Sequence, residues 1–231
     1  MGIDRVPGQR LLLFYCSFTC IYLPCILILL KYNESLYNVG TYKFVPILTI
    51  LMFAEVVKLS FSMLRSEQSA LGKIERPNSR SRKPWSRGFK ECIKFFVAMF
   101  ALFLAYYTII LLFGAPLSTH REETTMLTLT LASLTFIPAC LHLGVDTALT
   151  VLTRAQPHGT GLIGEAVGLN NKATLLGAWL GAVTIPLDWD RPWQAWPIPC
   201  VIGALLGYVT GHFVTLIKIL PALRLHKKVQ R

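Results

Sequence analysis

One stretch constrains this chain more than any other. From Leu175 to Leu220 it reads LLGAWLGAVTIPLDWDRPWQAWPIPCVIGALLGYVTGHFVTLIKIL, two apolar arms around the polar turn DWDRPWQA, and every charge of the stretch except Lys218 falls in that turn. In hydrocarbon the backbone polar groups must be satisfied internally, so two long apolar arms around a polar turn predict a transmembrane helical hairpin. Small residues recur at helical spacing on both arms: Gly177 and Gly181 on the first, Gly203, Gly207 and Gly211 on the second. Residues four apart share a side of a helix, and helices associate in lipid through close backbone approach at small-residue faces. Glycine is also generally common in transmembrane helices. The strict register nevertheless predicts that these five positions are packing faces. Trp189, Trp193 and Trp196 of the turn carry amphipathic rings that favour the headgroup level and predict the hairpin's depth.

The rest of the chain follows the same pattern. With 53% hydrophobic and 15% charged residues, it is too apolar for an ordinary soluble domain, where charged residues make up about 25%. Six windows approach the length of a span: Leu11 to Leu30, Phe44 to Leu64, Cys92 to Phe113, Met126 to Val145, about Val167 to Leu187, and Trp196 to Leu220. The expected fold is an all-α integral membrane protein of about six transmembrane helices. In the fifth window only Ala173 to Leu187 is cleanly apolar. At ~1.5 Å per residue that part reaches roughly 22 Å, short of a ~27 Å core, which places Asn170, Asn171 and Lys172 at or just inside the interface.

The formal net charge of +11 could suggest nucleic acid or an anionic membrane surface, and its distribution decides. Six spans put both termini and the loops after the second and fourth spans on one side. That side collects Arg5, Arg10, the run from Arg65 to Lys94, Arg154, Lys172 and the tail from Lys218 to Arg231, leaving Lys31, Lys43, Arg121 and Arg191 opposite. The positive-inside rule makes the first side cytosolic, so the charge reports topology and no nucleic-acid partner is expected. The expected organisation is an N-terminal transmembrane hairpin (1–66), a basic cytosolic linker (67–91), a four-helix transmembrane domain (92–220) and a basic cytosolic tail (221–231). Low apolar content with Pro77, Pro84 and scattered Ser predicts a flexible linker. The N-terminal window has no small-residue cleavage pattern after it and reads as a retained span.

Candidate chemistry is sparse. Glu55 and Lys58, three apart on the second window, share a helical face. Charges inside a membrane are costly and mark function by default, but two opposite charges at this spacing also pair with each other, and we read them as an intramembrane charge pair. His120, Glu122 and Glu123 could ligate a metal, yet the carboxylates are adjacent and nothing fixes their geometry, so a solvated loop is the better reading. Asp188-Trp189-Asp190 is a DxD pair of the kind that holds metal and nucleotide phosphates, in a turn with no extramembrane domain to build a pocket. GTGLIGEAVG lacks both phosphate-loop and dinucleotide signatures. The six cysteines fall in or beside apolar windows without CxxC or Cys/His clustering, so neither disulfide framework nor zinc site is expected. Asn33-Glu34-Ser35 is a glycosylation sequon expected to stay unmodified so close to the membrane. ALTVLTR (Ala148 to Arg154) fits a short interfacial helix, and the glycines from Gly159 to Gly168 fit a pliable lead into the fifth span. No catalytic, cofactor or metal residue is assigned.

GAWLGAVTIPLDWDRPWQAWPIPC followed by GALLGYVTG closely resembles the PIG-F family of glycosylphosphatidylinositol (GPI) anchor assembly, polar turn included, with weaker similarity through YYTIILLFGAPL and SLTFIPACL, over roughly residues 88 to 215. The resemblance implies a non-catalytic endoplasmic-reticulum membrane subunit. Such a subunit binds and stabilises the large transferase that adds ethanolamine phosphate to GPI mannose in the lumen. Its implied partners are that transferase, membrane lipid and a GPI intermediate. The proline-stiffened turn suits recognition better than chemistry, so Asp188, Trp189, Asp190, Arg191, Trp193 and Trp196 are its docking candidates, with Asp190 and Arg191 able to pair locally. Residues of about 31 to 66, with the AEVVKL pattern, resemble a nucleotide-sugar transporter helix instead. That leaves a transporter or hybrid chain as one alternative, and a GPI lipid-handling protein, its glycine faces cradling acyl chains, as another.

Overall fold

The computed structural model describes residues 5–33, 35–70, 84–116, 119–153 and 161–229. Every regular element among them is helical: α1 (Arg5–Tyr32), α2 (Val45–Ala70), α3 (Pro84–Leu112), α4 (Arg121–Leu143), the short α5 (Val145–Thr153), α6 (Gly161–Ala182) and α7 (Ile198–Val229). Short 3-10 turns at Ser35–Asn38, Tyr42–Phe44 and Pro192–Gln194 lie in two of the connections. The long helices run up and down between two ends. At one, the turn end, Gly40 backs onto Pro197, and the Tyr42 N–H donates to Glu122 Oε1 at 2.6 Å. At the other, Leu12, Tyr15 and Cys16 of α1 pack with Ala166 and Ile219, so α1 begins where α7 finishes.

The centre is α4, two-thirds buried where α3 is 11% buried. Its polarity is compatible with that position because Thr124, Thr128, Thr130 and Thr135 each return a hydroxyl hydrogen bond of 2.7–2.9 Å to the carbonyl four residues back. Glu122 and Glu123 in its first turn suit the positive end of the helix dipole. Gly144, at φ 80°, ends it by donating its N–H to the Cys140 carbonyl, a backbone conformation that disfavours residues with a Cβ.

Among the described residues five helical segments are long and apolar enough to cross a membrane: Leu11–Tyr32, Tyr42–Leu64, Gly88–Leu112, Arg121–Leu143 and Ile198–Leu220. The expected fifth of six windows differs. Helix α6 covers 161–182 rather than about 167–187, taking in Glu165, Asn170, Asn171 and Lys172 and leaving Val183 to Leu187 in the turn. Those polar residues keep it below the apolarity of a free-standing span, and it lies instead along α7, the most extensive helix pair of the molecule. The glycine lead is likewise helical from Gly161, with Gly164 and Gly168 buried, while Pro157 and Gly159 lie outside the described residues.

Three further expectations change at the edges. Pro84 opens α3, the first-turn position where its missing N–H costs nothing, and α2 continues to Ala70, so only 71–83 of the expected linker falls between helices and outside the described residues. The expected basic tail continues α7 as helix to Val229. Helix α5 begins three residues before the expected interfacial helix, and Arg154 is not described.

Candidate functional site: a glycine-packed hairpin and a buried polar clasp

The two arms of the hairpin touch backbone to backbone. A Cβ built on Gly177 would run into the Gly203 carbonyl and reach 3.0 Å from Gly207 Cα, and one on Gly203 would strike the Gly177 carbonyl. Gly181 faces the Pro199 carbonyl, Gly207 the Ala173 carbonyl, where an added Cβ would also come 3.1 Å from Thr174 Cα, and Gly211 the side chain and Cα of Asn170. All five glycines therefore stand where α6 and α7 meet, at an approach that no larger residue allows.

The turn above them is built around a residue the sequence reading passed over. Gln194 is buried, and its Nε2 donates to the carbonyls of Thr184 (2.9 Å) and Leu187 (2.7 Å) while its Oε1 accepts from the Arg191 N–H at 3.0 Å. One amide thus satisfies three backbone groups of an irregular segment, which folds DWDRPWQA into a fixed shape. Trp189 and Trp193 lie with ring centroids 5.8 Å apart, and Trp196 donates its indole N–H to Thr124 Oγ1 of α4 at 3.3 Å. Asp188, Trp189, Asp190 and Arg191 are exposed. The expected Asp190–Arg191 ion pair is absent among the described residues, because both side chains are exposed, where a pair gains little over water.

The loop before α4 runs into a first turn whose two acids are divided. Glu122 holds the Tyr42 N–H and Glu123 pairs with His120 at 3.2 Å, so the two carboxylates do not converge on one point. Leu117 and Ser118 of that loop, and Glu34 of the sequon, lie outside the described residues.

Glu55 and Lys58 sit at the centre of something larger than a pair. Both are 2% exposed, with Lys58 Nζ 2.5 Å from Glu55 Oε1. The ammonium also donates to Thr19 Oγ1 at 2.8 Å and stands 3.9 Å from the centroid of the Tyr15 ring, a cation–π position. Three tyrosines aim hydroxyls at the carboxylate: Tyr208 at 2.8 Å, Tyr15 at 3.3 Å and Tyr22 at 3.5 Å. Behind them the His142 ring meets Tyr15 edge-on at 4.8 Å, the His212 ring packs against both Tyr15 and Tyr208, and Asn170 Nδ2 lies 3.0 Å from His212 Nε2. Five helices, α1, α2, α4, α6 and α7, converge on this cluster.

Sequence reasoning found its two charges and missed Tyr15, Thr19, Tyr22, His142, Asn170, Tyr208 and His212 as members. A signal existed: Tyr15, Thr19 and Tyr22 are spaced four and three apart, as are Tyr208 and His212 by four, polar stripes on otherwise apolar helices.

These features define a multi-pass membrane protein whose intramembrane polar groups join helices to one another. The model of the GPI biosynthesis protein family Pig-F matches residues 15–216, and the chain belongs to that family. The match begins within α1 and takes in all of the AEVVKL stretch, so the segment that resembles a transporter helix lies inside it. Among relatives, the GPI ethanolamine phosphate transferase, stabilizing subunit, of Homo sapiens is 34% identical over 143 residues, 60% of this chain and 64% of that protein. The Glycosylphosphatidylinositol anchor biosynthesis protein 11 of Debaryomyces hansenii is 28% identical over 188 residues, 79% of each chain. Its Aspergillus fumigatus namesake is 44% identical over 108 residues, 46% of this chain and 34% of that protein. The chain thus spans less than two thirds of the length of the human relative it matches. No solved structure matches the chain.

Proposed function

We propose that this chain is a non-catalytic membrane subunit that binds and stabilises a GPI ethanolamine-phosphate transferase in the endoplasmic reticulum, supporting addition of ethanolamine phosphate to GPI mannose. The observation that carries this reading is the family match over residues 15–216, together with the printed name of its human relative. The geometry is in keeping with it: the intramembrane charges of Glu55 and Lys58 are engaged by hydroxyls and by each other rather than lining an open path. Helix α6 makes the sixth crossing, sheltered by α7, with both termini in the cytosol and the turn of Asp188 to Ala195 in the lumen, as the partition of basic residues requires. The turn is the docking element, through exposed Asp188, Trp189, Asp190 and Arg191, with Trp193 and Trp196 setting its level in the membrane.

The test is co-purification of the full chain from detergent extracts of cells that make GPI. The expected result is recovery of a large metal-dependent transferase. Arg191→Glu, which reverses the turn's single basic charge, is expected to lower that recovery at unchanged subunit level and to leave GPI without its terminal ethanolamine phosphate. Uptake of sugar nucleotides by liposomes containing the chain alone, with no transferase recovered, would overturn the reading in favour of transport.

A further inference from the structure

Below the turn, α3, α4 and α6 stand apart and enclose a cavity of about 660 Å³. Its walls are Ile110 of α3, Leu131 of α4, Ala178, Trp179 and Ala182 of α6, and Trp196. The cavity opens sideways past Ile109 and Phe113, which are 47% and 75% exposed on the face of the molecule that α3 presents to hydrocarbon. Its polar lining groups are already engaged: the Tyr106 hydroxyl lies 3.0 Å from Thr135 Oγ1, and the Trp196 indole N–H donates to Thr124.

Water entering this space would find few hydrogen-bond partners, and apolar cavities stay dry. Left empty, the walls would lose their dispersion contacts. A partner's helix, ~10–12 Å across, is too broad to enter between three helices. The volume lies within the ~300–1,000 Å³ range of ligand sites, and the medium at this depth consists of alkyl chains. Charge at the mouth narrows the choice further. Arg121 stands six residues before Leu127 of the cavity wall, about 9 Å nearer the turn end along α4. Arg191 is exposed on the turn whose Ile185 and Pro186 also line the cavity. Neither arginine has an ion-pair partner among the described residues.

We propose that the cavity binds one acyl chain of a phospholipid from the leaflet at the turn end, with the lipid phosphate at the level of Arg121 and Arg191. The site is independent of the transferase and is tested without it. The full chain is reconstituted alone in phosphatidylcholine nanodiscs containing phosphatidylcholine with a photoactivatable diazirine on one acyl chain, and labelled peptides are mapped by mass spectrometry. Labelling of α4 around Leu127 and Leu131 and of α6 around Ala178 is expected to exceed that of the outward face of α3 at Phe96 and Phe100. Ala178→Trp, which fills the space, is expected to lower cavity labelling about tenfold, as loss of about two buried methylenes would, while leaving Phe96 and Phe100 labelled as before. Ala182→Leu is the second variant should Ala178→Trp not fold, and Arg121→Glu with Arg191→Glu is expected to weaken labelling as well. Equal labelling of cavity and outward face, or cavity labelling untouched by the filling variants, overturns the proposal. A chain that binds transferase normally but shows no cavity label would sink the lipid site and leave the subunit reading standing.

Discussion

Replacing Glu55, Lys58 or both by Met tests whether the clasp is a coupled unit. In Glu55→Met the ammonium keeps Thr19 Oγ1 at 2.8 Å, the Tyr15 ring face at 3.9 Å and, more distantly, the Tyr22 ring at 5.9 Å. Removing one partner of a buried pair costs about 3–5 kcal/mol, and with so few groups left to offset the charge Glu55→Met should fall in the upper part of that range. In Lys58→Met the carboxylate keeps three tyrosine hydroxyls at 2.8, 3.3 and 3.5 Å, so the loss should fall at the lower end, about 3 kcal/mol. Simple addition would put the double variant at about 6–8 kcal/mol, comparable with the whole stability of about 5–15 kcal/mol of a folded chain. Yet the double variant buries no charge. Its main defect is the Tyr208 hydroxyl, left without its 2.8 Å acceptor at a cost of about 1–3 kcal/mol. The expected order of stability is therefore wild type, double variant, Lys58→Met, Glu55→Met. The coupling energy should be about 3 kcal/mol or more in favour of joint removal. Thermal unfolding of the purified variants in one detergent, read as the fraction left monodisperse, measures this order. A double variant as unstable as the sum of the two would refute a closed pair. A double variant that is stable and abundant yet abolishes GPI anchoring would assign the pair a role in function.

Two further outcomes follow from the hairpin. Gly207→Leu places a side chain against the Ala173 carbonyl and Thr174 Cα, a backbone clash that cannot relax by rotamer change. Loss of at least about 1–3 kcal/mol is expected in the same unfolding assay, and wild-type stability would show that α6 and α7 do not pack through this face. For topology, Asp188→Cys is the better probe of the turn than a cysteine at Gln194, because Gln194 is buried and bonded whereas Asp188 is exposed. Asp188→Cys should react with an impermeant thiol reagent only from the lumenal side and Ser79→Cys, in the linker, only from the cytosol; reaction of both from one side would overturn the orientation.

The hairpin was legible because its constraint is local. Small residues four apart and a charge-dense turn can be read from adjacent letters, and Gly177, Gly181, Gly203, Gly207 and Gly211 all stand at the α6–α7 contact. Local composition misled at α6, where Asn170, Asn171 and Lys172 shifted the expected window toward the apolar residues that follow. In the fold, α7 lies alongside α6, and Asn170 faces His212. Helix start and stop signals failed at Pro84 for a similar reason, since the same proline that breaks a helix interior opens one. The clasp was only half legible because its members come from five helices separated by up to 197 positions, the distance from Tyr15 to His212. A charge within an apolar window announces that a partner exists. Which residues answer it depends on how the helices are rotated, and that is set by packing.

The clasp variants also separate two surfaces by which a transferase could be held. Helix α7 grips α6 through Gly203, Gly207 and Gly211 and grips α1 and α2 through Tyr208, which at 100° per residue lies well round the helix from the glycine stripe. Breaking the clasp therefore loosens the N-terminal hairpin from α7, while the contact between α6 and α7, which uses none of the clasp's charges, stays closed. The turn is bound to that second contact. It is held by Gln194 across its own backbone and by Trp196 against α4, and its nearest helical residue on α7, Ile198, is about 15 Å above Tyr208. If the transferase docks on the turn, Glu55→Met should leave most of the complex recoverable at low temperature, where the loosened subunit is still folded, and Gly207→Leu should abolish it. If the transferase docks on α1 and α2, the two variants should exchange effects. Equal loss from both at a temperature where each remains monodisperse would mean that the partner spans both surfaces, and the turn alone would no longer account for recognition.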